Sequence, residues 1–524
     1  MTHAREPELD DPLDGASPPD FEAAEPEIPP PPHDLKEKTA RSILWTIVRT
    51  GSDYVFSFAV FAVLARKLGP ATFGVFALAV AFAEFGKILP AAGLSAALPR
   101  ARRVTPAMAD TVFWTSLAVA VVVAGVLALL AGPIAGLFGE PAVAPILAAL
   151  GVILVISVAG ATHIALMLRE FGHRAMATRS VVSNVVGGAA ALAAAAAGWG
   201  AWSLVVQRGV TEVMGTLVAW RAYRWVPGRQ FSRQVLRDLS GFSSAMTLTQ
   251  ILFVALVRVQ DVIIGRVLGT AAVGVYRTAW RTVELISQGV IMPFSQVSLP
   301  TLGRLQDDMP AFRRAYLRII SVSSALSLPA IIGFAVVAPD AIPIIFGNQW
   351  SESARIAQVL GFMAVPFTLN RFAGPALGTL GHSALLARIA ALQLILTVVL
   401  TLAAAPHGLL AIAAAYVLRA YLVLPVQMWA FRTRSGLGYG EVLRAIAPAL
   451  GTSLVMAGAL VGLDRFAGSG LEGGVLHLLV MVAAGVAVYV ATLMLFARRF
   501  VAQQIRDIKR LLPGAAAKFS GAGA

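Results

Sequence analysis

The chain is a succession of long apolar runs separated by short polar segments. Runs of about twenty residues, dominated by Ala, Val, Leu, Ile and Phe, recur between residues 42 and 497. A helix needs about 20 such residues to cross the hydrocarbon core of a bilayer. The pattern therefore predicts about fourteen transmembrane helices, at 42–65, 72–94, 109–131, 143–166, 178–198, 201–221, 245–268, 271–296, 317–338, 353–377, 384–405, 408–430, 444–464 and 475–497.

Composition agrees with this pattern. The 524 residues are 57% hydrophobic and 13% charged, whereas soluble domains carry about 25% charged residues. The mean hydropathy is +0.76. The absence of cysteine excludes disulfides, cysteine nucleophiles and cysteine-based metal sites. An all-α integral membrane protein is the predicted fold class.

The distribution of charge predicts the orientation. Residues 1–34 contain ten acidic residues and one base, and their many prolines predict a disordered tail. If the N-terminus is cytoplasmic, inner segments hold 28 lysines and arginines and outer segments hold only four. The positive-inside rule then places both termini in the cytoplasm. The net charge of +14 therefore reflects topology and anionic lipids, and no nucleic-acid partner is expected.

One stretch of the sequence occurs twice. LARKLGPATFGVFALA (64–79) aligns without a gap with IGRVLGTAAVGVYRTA (264–279), and seven of the sixteen positions are identical. Each copy lies where one predicted helix ends and the next begins. The first glycine of each copy suits a left-handed helix cap, and the second suits close helix approach. We predict that this hairpin takes part in gating through Gly69, Gly74, Gly269 and Gly274.

The repeat divides the chain into two halves. An offset of 200 residues places the first two predicted helices on the seventh and eighth. Six helices per half is an even number, so the halves share one orientation and are related by an axis along the membrane normal. Such pairs of halves are typical of secondary transporters, with a binding site between them near the midplane. The predicted divisions are a disordered tail at 1–40, six-helix lobes at 41–235 and 236–435, two further helices at 436–500, and a basic tail at 501–524.

The segment RVQDVIIGRVLGTAAVGVYRTA (258–279) and its echo ARKLGPATFGVFALA (65–79) carry a family resemblance. The chain resembles the multidrug/oligosaccharidyl-lipid/polysaccharide (MOP) exporter superfamily, and within it the Wzx-type flippases of the polysaccharide-transporter branch. The resemblance covers roughly 40–500 and implies a MATE-like fold, with two lobes around a central cavity and two additional C-terminal helices. It implies no catalytic residue.

The same resemblance implies a function. It is the translocation, by alternating access, of a polyprenyl-pyrophosphate-linked oligosaccharide across the bacterial cytoplasmic (inner) membrane. The product would serve O-antigen, capsule or exopolysaccharide synthesis. The implied partners are the lipid-linked substrate, membrane lipids and other polysaccharide-assembly proteins, with the protein itself a monomer.

Apart from charges near the span ends that are counted with the loops, the predicted spans contain nine bases and five acids. Each such charge costs about 2.5–3.5 kcal/mol at a helix centre on insertion scales, so these groups are expected to face protein or water. Every acid has a base three or four residues away on its own helix, in the pairs Arg49–Asp53, Glu84–Lys87, Arg208–Glu212, Arg258–Asp261 and Arg281–Glu284. These pairs are either structural or sites for a coupling ion, for which the candidates are Asp53, Glu84, Asp261 and Glu284.

The C-terminal half carries the surplus of positive charge. Arg277, Arg371 and Arg419 have no acidic neighbour in their own helices, and Arg277 begins a polar stripe that continues through Arg281, Glu284 and Gln288. Guanidinium groups bind phosphate in bidentate fashion. We therefore predict a pyrophosphate site formed by Arg258, Arg277, Arg281, Arg371 and Arg419, with Trp280 as a candidate for stacking on a sugar. The alternative is that acids of the N-terminal lobe neutralise these arginines.

The sequence leaves other functions open. A cation-coupled multidrug exporter favours an acidic cavity, whereas a lipid-linked peptidoglycan-precursor flippase also needs arginines. A membrane glycosyltransferase or polymerase needs carboxylates or histidines in large outer loops. Here the outer acids are scattered, at Glu140, Asp340, Glu352, Asp464 and Glu472. We predict that the protein is not an enzyme and has no cofactor and no metal site. Na⁺ and H⁺ are the candidate coupling ions.

Overall fold

The computed structural model describes residues 56–90, 98, 104–169, 173–381, 383–466, 474–496 and 498. Within these residues the chain forms α-helices and short 3₁₀ turns and no strand. The predicted pair Arg49–Asp53 and both tails lie outside this part of the chain. The helices are α1 (56–67), α2 (Pro70–Pro90), α3 (Pro106–Phe138), α4 (Val143–Arg169), α5 (His173–Ala196), α6 (Trp202–Ala222), α7 (Arg233–Leu268), α8 (Thr270–Arg304), α9 (Met309–Phe346), α10 (Ser351–Gly361), α11 (Ala364–Thr379), α12 (Ser383–Ala404), α13 (Leu409–Ser435), α14 (Tyr439–Phe466) and α15 (Val475–Phe496).

Each predicted span coincides with a helix in its described residues, and the span at 353–377 corresponds to two helices, α10 and α11. Nine helices of the described part are long and apolar enough to cross a membrane, or ten if the bent α10–α11 pair is one span. The central helices α6, α7 and α8 are not among the nine. They carry the charged residues that the sequence places inside the membrane, which lowers their hydropathy.

The break between α10 and α11 differs from the single helix that the sequence predicts. The two helices meet at an angle of 62°. Pro366 has no amide hydrogen, so it cannot form the helical hydrogen bond to the carbonyl of Phe362 four residues earlier. The hydroxyl of Tyr421 on α13 donates to that carbonyl instead, at 2.9 Å. A proline and a tyrosine from another helix thus explain the break.

The connection between α6 and α7 is shorter than the predicted loop at 222–244. Helix α7 begins at Arg233, and the Ser232 side chain caps it by accepting a hydrogen bond from the amide of Val235. The remaining loop is fastened to α3, because buried Asp110 accepts hydrogen bonds from the amides of Gly228 at 2.9 Å and Gln230 at 3.2 Å. Asp110 therefore anchors the link between the two halves of the chain, a role that the sequence did not reveal.

The helices form two sets that meet along α2, α7 and α8. In the first set α3 packs on α4, α4 on α6 and α5 on α6, whereas in the second α9 packs on α8 and α10, and α12 on α13. Helix α2 packs against both α7 and α8, so one apolar core continues from Leu78 to Tyr276 across the contact. Helices α14 and α15 lie against α9. This arrangement agrees with the predicted all-α fold, in which two additional helices accompany two lobes.

Candidate substrate cavity

The two copies of the repeated corner pack against each other at one end of the contact between the helix sets. A Cβ atom added to Gly74 would lie 1.7 Å from the carbonyl oxygen of Thr270, and one added to Gly274 would lie 1.9 Å from that of Pro70. These distances leave no room for a side chain. The second glycine of each copy therefore permits close backbone approach, as the sequence predicts.

The first glycine of each copy does not form the expected left-handed cap. Gly269 has φ 87° and ψ 174°, an extended conformation with positive φ that is essentially restricted to glycine. Gly69 has no positive φ. The two copies thus turn the chain with different backbone geometries although both have glycine at this position.

A second set of contacts closes the same end. Arg66, at the end of α1, donates hydrogen bonds to the carbonyls of Ile344 and Ile345 near the end of α9. In return, the Ala65 carbonyl accepts hydrogen bonds from the side chains of Gln349 and Trp350, each at 2.9 Å. Trp350 is fully buried. We call these contacts, together with the Gly74–Gly274 pair, the corner closure.

A cavity of about 460 Å³ lies between the two helix sets. Its first wall comes from α1, α2 and α6 and its second from α7 and α8. Aromatic rings and charged groups share the lining. The aromatic residues are Phe61, Phe73, Phe76 and Trp280, and the charged residues are Arg208, Arg258, Arg277, Arg281 and Glu284.

Arg277, which has no acidic neighbour in its own helix, has a buried carboxylate partner on the neighbouring helix α7. Its Nε and a terminal nitrogen both donate to Asp261 on α7, and the same terminal nitrogen donates to the Val257 carbonyl at 2.6 Å. Asp261 is fully buried. The sequence-predicted partner of Asp261, Arg258, is 3.7 Å from the same carboxylate. Arg277 is therefore held in place, and Arg258 shares an acid that is already neutralised.

The polar stripe on α8 forms as predicted. Arg281 lies 3.2 Å from Glu284, and the side-chain amide of Gln288 donates to the other oxygen of that carboxylate at 2.8 Å. The Arg281 side chain is 40% exposed. It thus lines the cavity and is open to a ligand while it is paired on its own helix.

The acids Glu84 and Glu212, behind the first wall of the cavity, form ion pairs between two helices and not within one helix. Glu84 on α2 accepts a hydrogen bond from Arg208 on α6 at 2.7 Å, and Lys87 lies 3.6 Å from Glu212. The sequence instead predicts the pairs Glu84–Lys87 and Arg208–Glu212. All four residues surround a space of about 20 Å³, enough for a single water. Of these residues only Arg208 reaches the large cavity, and the sequence did not identify it as a cavity residue.

Among the described residues, the arginines that line the cavity outnumber the carboxylates that pair with them by one. Arg208 pairs with Glu84, Arg277 with Asp261 and Arg281 with Glu284. The remaining cation is Arg258, whose side chain is 21% exposed. The sequence predicts a surplus in the C-terminal half carried by Arg277, Arg371 and Arg419, whereas the cation in excess among these described residues is Arg258.

A family model described as "Polysaccharide biosynthesis protein" matches residues 63–355, which is more than half of the chain and includes both copies of the corner. The chain belongs to this family. It is 29% identical over 325 residues to the succinoglycan biosynthesis transport protein ExoT of Rhizobium meliloti, covering 62% of this chain and 65% of the relative. It is 22% identical to the lipopolysaccharide biosynthesis protein WzxC of Escherichia coli, covering 62% and 67%. The match to ExoT thus spans slightly less than two thirds of that relative.

Solved structures agree on the fold of this chain. The lipid II flippase MurJ in an inward closed conformation matches with a TM-score of 0.70 at 11% identity, over 88% of this chain and all of MurJ. An inward-facing MATE multidrug transporter of the MOP superfamily matches with a TM-score of 0.53 at 18% identity, over 74% and 94%. The chain is therefore a multi-pass membrane protein with a MOP-superfamily fold.

Two of the five predicted arginines do not line the cavity of this family member. Arg371 lies half-buried on α11, and Arg419 lies buried on α13. The Arg419 guanidinium is 4.2 Å from the centre of the Tyr416 ring, which meets the Trp280 ring edge-on at 5.2 Å. Arg419 is thus one layer behind the cavity wall. Arg258, Arg277 and Arg281 line the cavity, with Trp280 beside them, and their binding of a pyrophosphate stays a prediction.

Proposed function

We propose that this protein translocates a polyprenyl-pyrophosphate-linked oligosaccharide across the bacterial cytoplasmic membrane, for the synthesis of a surface or secreted polysaccharide. Its family and its relatives in succinoglycan transport and lipopolysaccharide biosynthesis support a sugar substrate. The likeness to MurJ and to a MATE transporter supports the fold alone. The excess of positive charge at the cavity supports a substrate that carries an anionic group.

The surplus cation at Arg258 carries the proposal. A pyrophosphate brings negative charge, and guanidinium groups bind its oxygens with two parallel hydrogen bonds. Arg258 and the half-exposed Arg281 would bind the pyrophosphate. Arg277 would remain paired with Asp261 and so keep α8 in place against α7. The aromatic side chains Phe61, Phe76 and Trp280 offer flat faces for sugar rings, and the prenyl tail would remain in lipid.

Transport requires that the cavity opens to each side of the membrane in turn. On the orientation that the positive-inside rule predicts, with both termini in the cytoplasm, the corner closure faces the outside. Release of the substrate would then require the corner closure to separate. No reaction on the substrate is part of this cycle, and we propose a transporter that acts as a monomer and not an enzyme.

The ion pairs beside the cavity bear on the energy source of transport. The described carboxylates beside the cavity all face a base, an arrangement that disfavours a bound Na⁺. Protonation of Glu84 or Glu284 would instead release Arg208 or Arg281 for the substrate phosphates. A coupling proton is therefore the form of ion coupling that these pairs favour, while Asp261 serves to hold Arg277.

The test is transport by the full-length protein in proteoliposomes that contain a polyprenyl-pyrophosphate oligosaccharide. We expect translocation by the wild type, and at least a tenfold loss in Arg258→Ala and in Arg281→Ala. The exposed Arg434 on α13 provides the control, because Arg434→Ala removes a positive charge far from the cavity lining. All variants are compared at equal amounts of inserted, folded protein.

Parallel assays separate the proposal from its alternatives. Lipid II replaces the oligosaccharide lipid in one set of vesicles, and a cationic dye with a proton gradient replaces it in another. Transport of the dye alone would make the protein a drug exporter, and preference for lipid II would make it a peptidoglycan-precursor flippase. Transport of the oligosaccharide with both arginine variants fully active would leave the function in place and remove Arg258 and Arg281 from the site.

A further inference from the structure

Three helices bring metal-binding side chains together away from the cavity. Asp340 lies near the end of α9, Asp464 near the end of α14 and His477 near the start of α15. His477 Nδ1 is 3.4 Å from an Asp340 oxygen, and its Nε2 is 3.6 Å from an Asp464 oxygen. One ligand atom from each residue lies within 4.8 Å of the other two. These residues are at the same end of the molecule as the corner closure, since Asp340 is one turn before Ile344.

The histidine at the centre of this cluster is buried and incompletely bonded. His477 is 6% exposed, and its Nδ1 forms no hydrogen bond although the Asp340 carboxylate is beside it. A buried polar atom without a partner costs about 1–3 kcal/mol. The carboxylate beside Nδ1 belongs to Asp340, and that of Asp464 lies beside Nε2. Two carboxylates close together attract a cation.

We propose that Asp340, Asp464 and His477 bind one divalent transition-metal ion, with Zn²⁺ as the ion that best suits the site. Zinc bonds to imidazole nitrogen and carboxylate oxygen at about 2.0–2.2 Å in tetrahedral geometry. Neighbouring ligand atoms are then about 3.3–3.6 Å apart, which the Asp340–His477 distance of 3.4 Å matches. Mg²⁺ and Ca²⁺ prefer oxygen ligands alone, so the histidine favours a first-row transition metal.

The exposure of Asp464, the third ligand, bears on how the ion reaches the proposed site. The Asp464 side chain is 57% exposed and lies in the last turn of α14. The proposed ion binds Nδ1, so the Asp464 carboxylate, which lies beside Nε2, would move to the ion by a change of rotamer. Its exposure gives solvent access to the site from this side. Water would complete the coordination. The ion would thus enter from the aqueous phase and not through the transport cavity.

The position of the cluster indicates what the metal does. Helices α14 and α15 are the two helices outside the repeated halves, and both pack on α9. At the other end of α15, the Tyr489 hydroxyl donates to the Ala325 carbonyl of α9 at 2.6 Å. Between these ends the contact is apolar, formed by side chains such as Val337, Met456 and Met481. The metal would fasten the N-terminal end of α15 to α9 and α14.

The experiment measures zinc binding directly, and its outcome is independent of transport. The full-length protein is purified in detergent without a polyhistidine tag, stripped with a chelator, and titrated with ZnCl₂ by calorimetry and by equilibrium dialysis with metal analysis. We expect one Zn²⁺ per chain and an increase in the unfolding temperature on binding. His477→Ala and Asp464→Asn are each expected to weaken binding by more than about 100-fold, because loss of even an outer-shell partner costs about 10–100-fold.

Two controls make the result decisive. His407→Ala removes an exposed histidine from another connection and should leave the stoichiometry at one. Asp464→Asn alters an exposed side chain, so it tests the site even if His477→Ala fails to fold. Absence of stoichiometric zinc in the wild type would overturn the proposal, and so would unchanged affinity in Asp464→Asn together with His477→Ala. A stabilisation that needs only low pH in metal-free buffer would identify a protonated histidine between two carboxylates instead.

Discussion

Gly74 and Gly274 occupy the same position in two copies of one sequence and meet each other backbone to backbone. A Cβ on Gly274 would lie 3.0 Å from the amide nitrogen of Gly74, and a Cβ on Gly74 would lie 3.2 Å from that of Gly274. Two equivalent residues of a repeat can touch each other only beside the axis that relates the two copies. The repeated sequence therefore lies where the two halves touch, and each half supplies the same close-packing surface.

This contact predicts the effect of adding a single methyl group. Gly274→Ala places a methyl group within 1.9 Å of the Pro70 carbonyl oxygen, a backbone atom that cannot rotate away. Overpacking of this kind costs about 1–3 kcal/mol. With an unfolding entropy of about 2.1 cal/mol/K per residue, the unfolding temperature of the detergent-solubilised protein should fall by roughly 1–3 degrees. Gly132→Ala on α3 is the control, since nothing lies within 4 Å of its new methyl. Equal unfolding temperatures for the two variants would contradict the close contact.

The corner closure predicts which side of the cavity is sealed. The chain has no native cysteine, so Ser57→Cys introduces one reporter into the cavity wall. A membrane-impermeant maleimide added from the outside should label it slowly. Arg66→Ala removes hydrogen bonds to Ile344 and Ile345, each worth about 1.5–3 kcal/mol for a charged donor, and should raise the labelling rate at least tenfold.

The repeat itself provides the control for that measurement. Arg266 is the equivalent of Arg66 in the second copy, and it is exposed. Arg266→Ala therefore removes the same charge near the same corner and should leave the labelling rate close to that of the reporter alone. If both arginine variants accelerate labelling equally, the effect is one of charge and the corner closure is not a gate.

The sequence predicts the helices far better than it predicts their partners. Apolar runs of membrane length are an unambiguous local signal, and each described run is helical. Spacing within a single helix does not reveal the Asp261–Arg277 pair, because the two residues lie on the neighbouring helices α7 and α8. A signal was available, since both residues are eight positions from Gly269, and residues equidistant from a helical hairpin turn lie at the same depth. No comparable signal joins Asp340, Asp464 and His477, which come from three helices brought together only by packing on α9.

The buried pair on α7 and α8 leads to a further prediction about stability. Asp261→Asn leaves Arg277 without a counter-charge and next to Arg258, and loss of one partner from a buried pair costs about 3–5 kcal/mol. The double variant Asp261→Asn/Arg277→Gln should recover part of this loss, because it removes the stranded charge as well. Unfolding temperatures of the wild type, both single variants and the double variant form the required cycle.

A pair of lower burial supplies the comparison. Glu284→Gln breaks the Arg281–Glu284 pair, whose side chains are 40% and 28% exposed, and exposed pairs contribute only about 0–1 kcal/mol. Its effect on the unfolding temperature should be much smaller than that of Asp261→Asn. If the two substitutions have equal effects, or the double variant is no more stable than Asp261→Asn, Asp261 does not hold Arg277 in the way that the contacts indicate.

The bend between α10 and α11 can be tested with the two residues that explain it. Tyr421→Phe removes the donor to the Phe362 carbonyl and should destabilise the protein by about 0.5–1.5 kcal/mol, the usual net contribution of a hydrogen bond. In a Pro366→Ala background, the new amide at residue 366 can donate to the same carbonyl. Tyr421→Phe should then have less effect, and the difference between the two backgrounds, measured from unfolding temperatures, is the coupling between Tyr421 and Pro366. Additive effects would show that Pro366 does not free the carbonyl for Tyr421, and the bend would then need another cause.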